Sequence, residues 1–378
     1  MERSVSPSQQ KKKNNIGKGK YIDYTLLLMI ICLLAFGLVM LYSTSAYNAT
    51  LKTGDSAFYL KKQVKAAIVG FGLMFLCIKI GYRQFARFAG LGYVVAAVLC
   101  LMVNFVGTSS HGSSRWLNIG GISFQPSELA KVAVILYLAT AISKRPNAMR
   151  DLKNNVRLLV SIAPIFLVVA YNNLSTAIII AGIAFVMVFV SSPKYAPFVL
   201  LVLGMGVLAF LFVLGAKGSY RMERIQTWLN PENYDTGYQT LQGLYAIGSG
   251  GLFGKGLGES IQKLGFVPEA QNDMIFSIIC EELGLFGAIC VILMFILLLW
   301  RFLLIATKAK DMFGSYLVIG IMTHIALQVI LNIAVVTNTI PNTGITLPFV
   351  SYGGTSMMIL IAEMGVALSV SKDMQVDM

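Results

Sequence analysis

Apolar residues along this chain fall in long blocks with few polar interruptions. They show neither the narrow stripe of a surface helix nor the alternation of a half-buried strand. Blocks of about 17–25 residues, enough to cross roughly 30 Å of hydrocarbon at 1.5 Å per residue, recur from end to end. The spans read as 24–44, 64–80, 88–106, 127–143, 157–171, 174–191, 196–215, 273–300, 313–336 and 350–371. The fifth is short and is expected to tilt or break. The pattern predicts an all-α integral membrane protein of about ten transmembrane helices, with one long extracytoplasmic loop, 216–272, between spans seven and eight. Three regions follow: a basic tail over 1–22, a membrane body over 23–372 that includes the long loop, and a short end over 373–378.

A loop of that length is usually functional or disordered. Within it Ile225, Trp228 and Leu229 share helical spacing, as do Leu241, Leu244 and Tyr245, which predicts two short interfacial helices. The stretch GSGGLFGKGLGES invites comparison with phosphate-cradling loops. Its spacing before Gly254-Lys255 is one residue short, and Gly256 stands where Ser or Thr belongs. A flexible external turn is the expectation.

Composition sharpens this reading. At 56% hydrophobic over 378 residues, the chain has more apolar surface than one soluble core can bury, so the bilayer must be its solvent. Its net charge of +13 is explained by short inner loops and anionic lipid headgroups rather than by nucleic acid. With the lysine-rich tail inside, Arg83, Arg87, Lys144, Arg145, Arg150, Lys153, Arg157, Lys194, Arg301, Lys308, Lys310 and Lys372 share that side, and both termini are cytoplasmic. The tail runs into a full-length span without a small-residue cleavage site, so the first helix is expected to stay as an anchor. Basic residues that topology places outside, Arg115, Lys217, Arg221, Arg224, Lys255 and Lys263, suit an anionic substrate such as a pyrophosphate. The five cysteines have no disulfide or zinc spacing.

Ionisable groups in spans cost at least about 2.5–3.5 kcal/mol on insertion scales, so each needs a reason. Glu128 and Lys131 lie three apart on one face, as a structural ion pair or as a charged cavity wall. His324, Gln328 and Asn332 form a stripe at i, i+4 and i+8 that suits interhelical hydrogen bonding. With His111 the only other histidine, a hydrolase of the serine–histidine type lacks its usual base. The stretch VPEAQNDMIFSIICEELG gathers Glu269, Asp273, Glu281 and Glu282 in a chain that is only 12% charged. Asp273 would project from the first turn of its helix, with Glu281 about 12 Å deeper and roughly 80° around. It can be an N-terminal cap, or, at the mouth of a cavity, a general base or a ligand for a divalent cation.

Four stretches in order, RWLNIGGISFQPSELAK at 115–131, GLFGKGLGES at 251–260, VPEAQNDMIFSIICEELG and NTGITLPFVSYGGTSMM at 342–358, closely resemble the SEDS proteins of shape, elongation, division and sporulation. The division and sporulation branches, FtsW and SpoVE, look nearer than the elongation branch, RodA. The resemblance implies a peptidoglycan glycosyltransferase that polymerises lipid II at the outer face of the bacterial cytoplasmic membrane. It implies as partners a class B penicillin-binding protein transpeptidase and divisome proteins.

The family's motif puts the catalytic aspartate at Asp273, with Glu269 and Phe276 on the same motif. It assigns substrate binding to Arg115, Trp116, Gln125, Ser127, Glu128, Lys131 and Glu269, and to Ser351, Tyr352, Gly353 and Gly354. Two departures stand out: Gln271-Asn272 where His-Thr is usual, and Asn172-Asn173-Leu174-Ser175 where Pro-Asp-x-Gly is frequent. A sugar hydroxyl attacking an anomeric carbon needs a base within about 3 Å, and a leaving pyrophosphate needs charge neutralisation. The chemistry expected is inverting, with Asp273 as base and Arg115, Lys131 and a divalent cation (Mg or Mn) on the pyrophosphate. Glu281 is expected to be structural or to belong to a charge network with a basic residue. Retention would need two carboxylates about 5–5.5 Å apart. A lipid II flippase and a non-catalytic scaffold are the rival classes.

Overall fold

The computed structural model describes residues 22–110, 113–119, 122–204, 226–234 and 237–374. Three helices, α1 (Tyr24–Thr53), α2 (Phe58–Ile80) and α3 (Tyr82–Val106), lead into a small antiparallel sheet, β1 (Thr108–Ser110), β2 (Ser113–Ile119) and β3 (Ile122–Phe124). Then come α4 (Pro126–Lys144), α5 (Leu152–Val160), α6 (Ala163–Asn172) and α7 (Leu174–Ser191). After the long loop with its helix α8 (Tyr238–Ser249), the chain ends with α9 (Ile275–Thr307), α10 (Met312–Val336) and α11 (Gly354–Ser371).

Among the described residues nine helical stretches are long and apolar enough to cross a membrane. The seventh predicted span is described only as a helix over 196–204. Its remainder, with Lys217, Arg221, Arg224 and Ile225, lies outside the described residues, as do His111, most of the basic tail and 375–378. The short fifth span is broken as expected: α5 and α6 meet at Ser161–Ile162, with Pro164 opening α6 where its missing N–H costs nothing.

One face of the bundle is tied by ion pairs at helix ends. Asp23 caps α1 through Leu26 N–H and meets Arg301 at 2.7 Å, while its own N–H donates to Ser371 Oγ. Arg83 bridges Asp311 at 2.9 Å and Asp373 at 3.1 Å, and Asp311 caps α10. Two helices measure the distance from this layer to the other face. Asp23 to Ser43 on α1 is 20 residues, about 30 Å, and Asp311 to Asn332 on α10 is 21, about 31 Å. Ser43 contacts Glu282, and Asn332 contacts Asp273. The carboxylates of the acid-rich stretch therefore lie a full hydrocarbon thickness from the ionic layer.

Helix α9 is interrupted at Gly284, whose φ of 67° and ψ of −167° leave the helical region. Backbone groups freed inside an apolar setting need partners, and the glycine-rich segment supplies them. Leu285 and Phe286 N–H donate to the carbonyls of Gly251 and Leu252, while Lys255 and Gly256 N–H donate to those of Glu281 and Glu282, all at 2.9–3.0 Å. The approach is so close that a Cβ at Gly250 would stand 1.9 Å from Cys280 O.

Glu281 then takes Lys255 Nζ at 2.7 Å, Ser260 Oγ at 2.5 Å and the N–H groups of Ile261 and Gln262. Glu282 takes Lys263 Nζ at 2.6 Å and Ser43 Oγ at 2.7 Å. The expected flexible turn is thus a clasp locked into a broken helix, and its glycines serve backbone contact rather than mobility. Glu281 belongs to a charge network, and Lys255 and Lys263 are held by carboxylates.

Candidate active site

Asp273 closes the turn before α9. The capping position belongs to Met274, and no side chain caps the helix, so the reading of Asp273 as a cap is corrected: the helix begins two residues later than the spacing suggested. Its backbone carbonyl accepts from Asn332 Nδ2 at 2.7 Å, and one carboxylate oxygen lies 3.5 Å from Gln239 Nε2 of α8. Gln239 is oriented in turn, because its Oε1 accepts from Asn342 Nδ2 at 3.2 Å and its amide also reaches Pro268 O. The other carboxylate oxygen faces Gly344, where even a Cβ would come within 3.7 Å. Burial pushes the Asp273 carboxyl up to about 6, against hydrogen bonds from neighbouring backbone N–H groups and with the charge of Glu269 adding to the rise.

Strain marks the same place. The non-glycine residues with positive φ among those described are Glu269, Asn338 and Phe349, at 50°, 54° and 63°. All lie in the two loops that form the site, 267–274 and 337–353, where conformations costing on the order of 1–3 kcal/mol persist only if the surroundings hold them. Asn338 is held by exchange with Trp228, indole N–H to Asn338 O at 3.0 Å and Asn338 Nδ2 to Trp228 O at 3.1 Å. Glu269 is held by Asn272 through both backbone and side chain.

Arg115 and Trp116 lie on β2. Arg115 Nε donates to Asn172 O at 3.3 Å and lines a cleft with Ser127, Pro126, Cys100, Val103, Val168, Val169, Asn172 and Asn173. The cleft thus sits where α6 ends and α7 begins. At that corner Ser175 Oγ donates to Thr343 O at 2.7 Å, next to the Gly344 that faces Asp273. The corner thereby joins the Arg115 cleft to the carboxylate. Gln125 precedes α4 without capping it, and Pro126 opens the helix.

Glu128 and Lys131 pair at 2.8 Å, and both are buried, Lys131 completely. They form a buried ion pair and not a cavity wall, so contact between Lys131 and a substrate would require the pair to open. Among the described residues the stripe on α10 makes the expected interhelical contact only at His324, while Asn332 bonds loop carbonyls instead. His324 meets Glu363 of α11 at 2.9 Å inside the bundle, and Asn332 spans Asp273 O and Ile345 O. The Ser351–Gly354 turn stands behind the site. Ser351 is buried and its hydroxyl accepts from Leu347 N–H, Gln63 of α2 bonds both Ser351 O and Gly353 N–H, and Tyr352 N–H donates to Gln271 O, two residues from Asp273. Tyr59 stands edge-on to Tyr352 at 5.0 Å.

Gln239 and Gln63 carry no sequence signal of this role, and Asn342 only opens a stretch of the family resemblance without a role assigned to it. The partners of Gln239 and Gln63 lie 29 to 290 positions away, and Asn342 reaches Gln239 across 103.

Residues 24–376 match the FtsW/RodA/SpoVE family, described as "Cell cycle protein". The chain is 40% identical over 357 residues to stage V sporulation protein E of Bacillus subtilis, covering 93% of this chain and 97% of that one. It is 37% identical over 374 residues to a probable peptidoglycan glycosyltransferase FtsW of Geobacter metallireducens, covering 96% and 98%. Among solved structures, a chain of a peptidoglycan synthase complex, described as coordinating polymerization and crosslinking, superposes with a TM-score of 0.80 at 27% identity over 94% of this chain and 99% of that one. The rod shape determining protein RodA of Thermus thermophilus superposes with a TM-score of 0.70 at 26% identity, over 94% and 98%. With the profile and its relatives spanning nearly the whole length, the chain belongs to the FtsW/RodA/SpoVE family of cell cycle proteins.

Proposed function

We propose that this protein is a peptidoglycan glycosyltransferase that polymerises lipid II at the outer face of the bacterial cytoplasmic membrane, with Asp273 as general base. The observation that carries the reading is a carboxylate with a pKa near 6, held between two strained loops at the level of the hydrocarbon boundary. A base poised near the working pH removes a proton most effectively. Asp273 takes the proton of the acceptor's sugar 4-hydroxyl as that oxygen bonds to the donor's anomeric carbon. The bond from that carbon to the pyrophosphate oxygen breaks, and the lipid pyrophosphate leaves with the electron pair. Direct displacement inverts the centre, and Asp273 returns its proton to the outer solvent.

Arg115, in the cleft joined to Asp273 through the α6–α7 corner, is the side chain assigned to the pyrophosphate, with Ser127 lining the same cleft. The residues fit a divalent cation, Mg²⁺ or Mn²⁺, in a limited way. Among the described residues no three His, Cys, Asp or Glu side chains gather. Asp273, with Glu269 whose charge it feels, would be the residues to hold such an ion. Such an ion supplies charge neutralisation of the leaving group.

The ionic layer of Asp23, Arg83, Arg301, Asp311 and Asp373 supports an inner location for both ends of the chain, since Arg83 and Arg301 follow the positive-inside pattern. The partner assigned is a class B penicillin-binding protein transpeptidase, on the precedent of the synthase complex, with divisome proteins beyond it. Purified protein in liposomes, given labelled lipid II, tests the proposal. Glycan polymer supports it, transfer of lipid across the bilayer without polymer replaces it with a flippase, and neither outcome leaves a scaffold.

A further inference from the structure

We infer that Asn332 is a positioning residue for Asp273, and that its side-chain amide welds the two loops of the active site together. The inference rests on the reading of Asp273 as the base.

Asn332 lies on α10, four residues before the helix ends, and is completely buried. Its Nδ2 has two hydrogens and both are used at short range, one on Asp273 O and one on Ile345 O, each at 2.7 Å. The two acceptors belong to different segments. Asp273 is the last polar residue of the turn before α9, and Ile345 follows the Gly344 that faces the Asp273 carboxylate. One amide therefore sets the distance between the reacting group and the loop against which it packs.

The chemistry demanded is specific. Two carbonyl acceptors converging on one buried point need two hydrogens on a single atom, which a primary amide supplies and a carboxylate cannot. A hydroxyl supplies only one. Among the described residues the amide oxygen, by contrast, has no partner, as is true of Gln328 Oε1 and His324 Nε2 further along the same stripe. An orphaned buried acceptor costs stability, so an apolar side chain would serve a merely packed position better. Retaining the amide is explained by the two carbonyls it grips.

Loss of the grip should release the Asp273 backbone, and displacement of a base by about 1 Å costs on the order of 100-fold in rate. The test uses full-length protein in lipid with its transpeptidase partner. Polymerisation is measured from pH 4.5 to 8.5 for wild type, Asn332→Ser, Asn332→Asp and Asp273→Asn, with thermal unfolding of each.

The expected result is a fall in kcat of about 10- to 100-fold for both Asn332 variants. KM for lipid II should hold while kcat falls, which a merely structural role would not produce. Asn332→Ser, which retains one donor, should be the milder. A drop in melting temperature with unchanged kcat would overturn the inference and leave Asn332 a packing residue. Should one variant fail to fold, the other carries the same comparison. Asp273→Asn separates the two levels. If it polymerises like wild type, the base reading itself fails; if it is inactive while the Asn332 variants match wild type, only the positioning role is lost.

Discussion

Exchanging Glu281 for Gln tests the clasp that closes the broken helix. The wild-type carboxylate has Lys255 Nζ and Ile261 N–H on one oxygen, and Ser260 Oγ and Gln262 N–H on the other. These four partners, and Ser249 Oγ at 3.4 Å on the first oxygen, are donors to a group with no solvent exposure. Glutamine keeps one acceptor oxygen and must turn its NH₂ toward the other pair, so either rotamer sets donor against donor. Hydrogen bonds to a charged group contribute about 1.5–3 kcal/mol, and breaking a buried ion pair costs about 3–5 kcal/mol. Lys255 is 31% exposed and recovers part of that from water, which brings the expected loss to about 2–3 kcal/mol, local to the clasp.

Amide hydrogen exchange over 250–262 is the direct assay, because it reads local opening separately from global unfolding. The variant should exchange there about 30- to 100-fold faster, at about 1.4 kcal/mol per tenfold, while α10 and α11 exchange as in wild type. Since the same helix begins two residues after Asp273, polymer synthesis should fall while the protein stays folded. Unchanged exchange in 250–262 would refute the clasp as an energetic unit, and wild-type turnover with a loosened clasp would detach it from catalysis.

Asp273→Asn should leave the protein more stable than wild type at neutral pH. The folded carboxyl is raised to about 6 from an ordinary value near 3.8, so the fold binds the proton more tightly than the unfolded chain. Stability from this group is complete below about pH 4 and lost as pH rises through 6, up to about 3 kcal/mol; thermal unfolding from pH 4 to 8 should show the variant's advantage growing over that window. Turnover of wild type should rise through pH 6 and level off, and a profile flat from pH 5 to 8 would count against Asp273 as the titrating base. Gly250→Ala should unfasten the clasp more severely than Glu281→Gln, because its Cβ meets a carbonyl oxygen at 1.9 Å; protease sensitivity of the 250–264 segment checks it.

The spans were legible in the sequence because hydrocarbon leaves the backbone little choice: an apolar block of sufficient length must be a helix. The break in α9 was not. Gly284 sits in an apolar run like many membrane glycines, and what makes it a break is a segment about thirty residues upstream whose glycines look like a turn. Asp273 was visible as an acid where acids are rare and as the matched position of a known motif. Its supports were hidden, because Asn332 lies 59 positions away and Gln63 reaches the Ser351 turn across 288. The α10 stripe announced a polar interface, yet periodicity alone gives no partner. Glu128 and Lys131 show the converse: their spacing predicted the pair, and only packing showed that it is sealed from solvent.

The central claim is that Asp273 removes the proton from the attacking hydroxyl. The most direct measurement compares glycan polymer made from lipid II by wild type and by Asp273→Asn, each purified with the transpeptidase partner and matched for folded, partner-bound protein. The account predicts polymer from the first and none from the second, although the second is the more stable protein. Equal polymer from both would remove Asp273 from the mechanism.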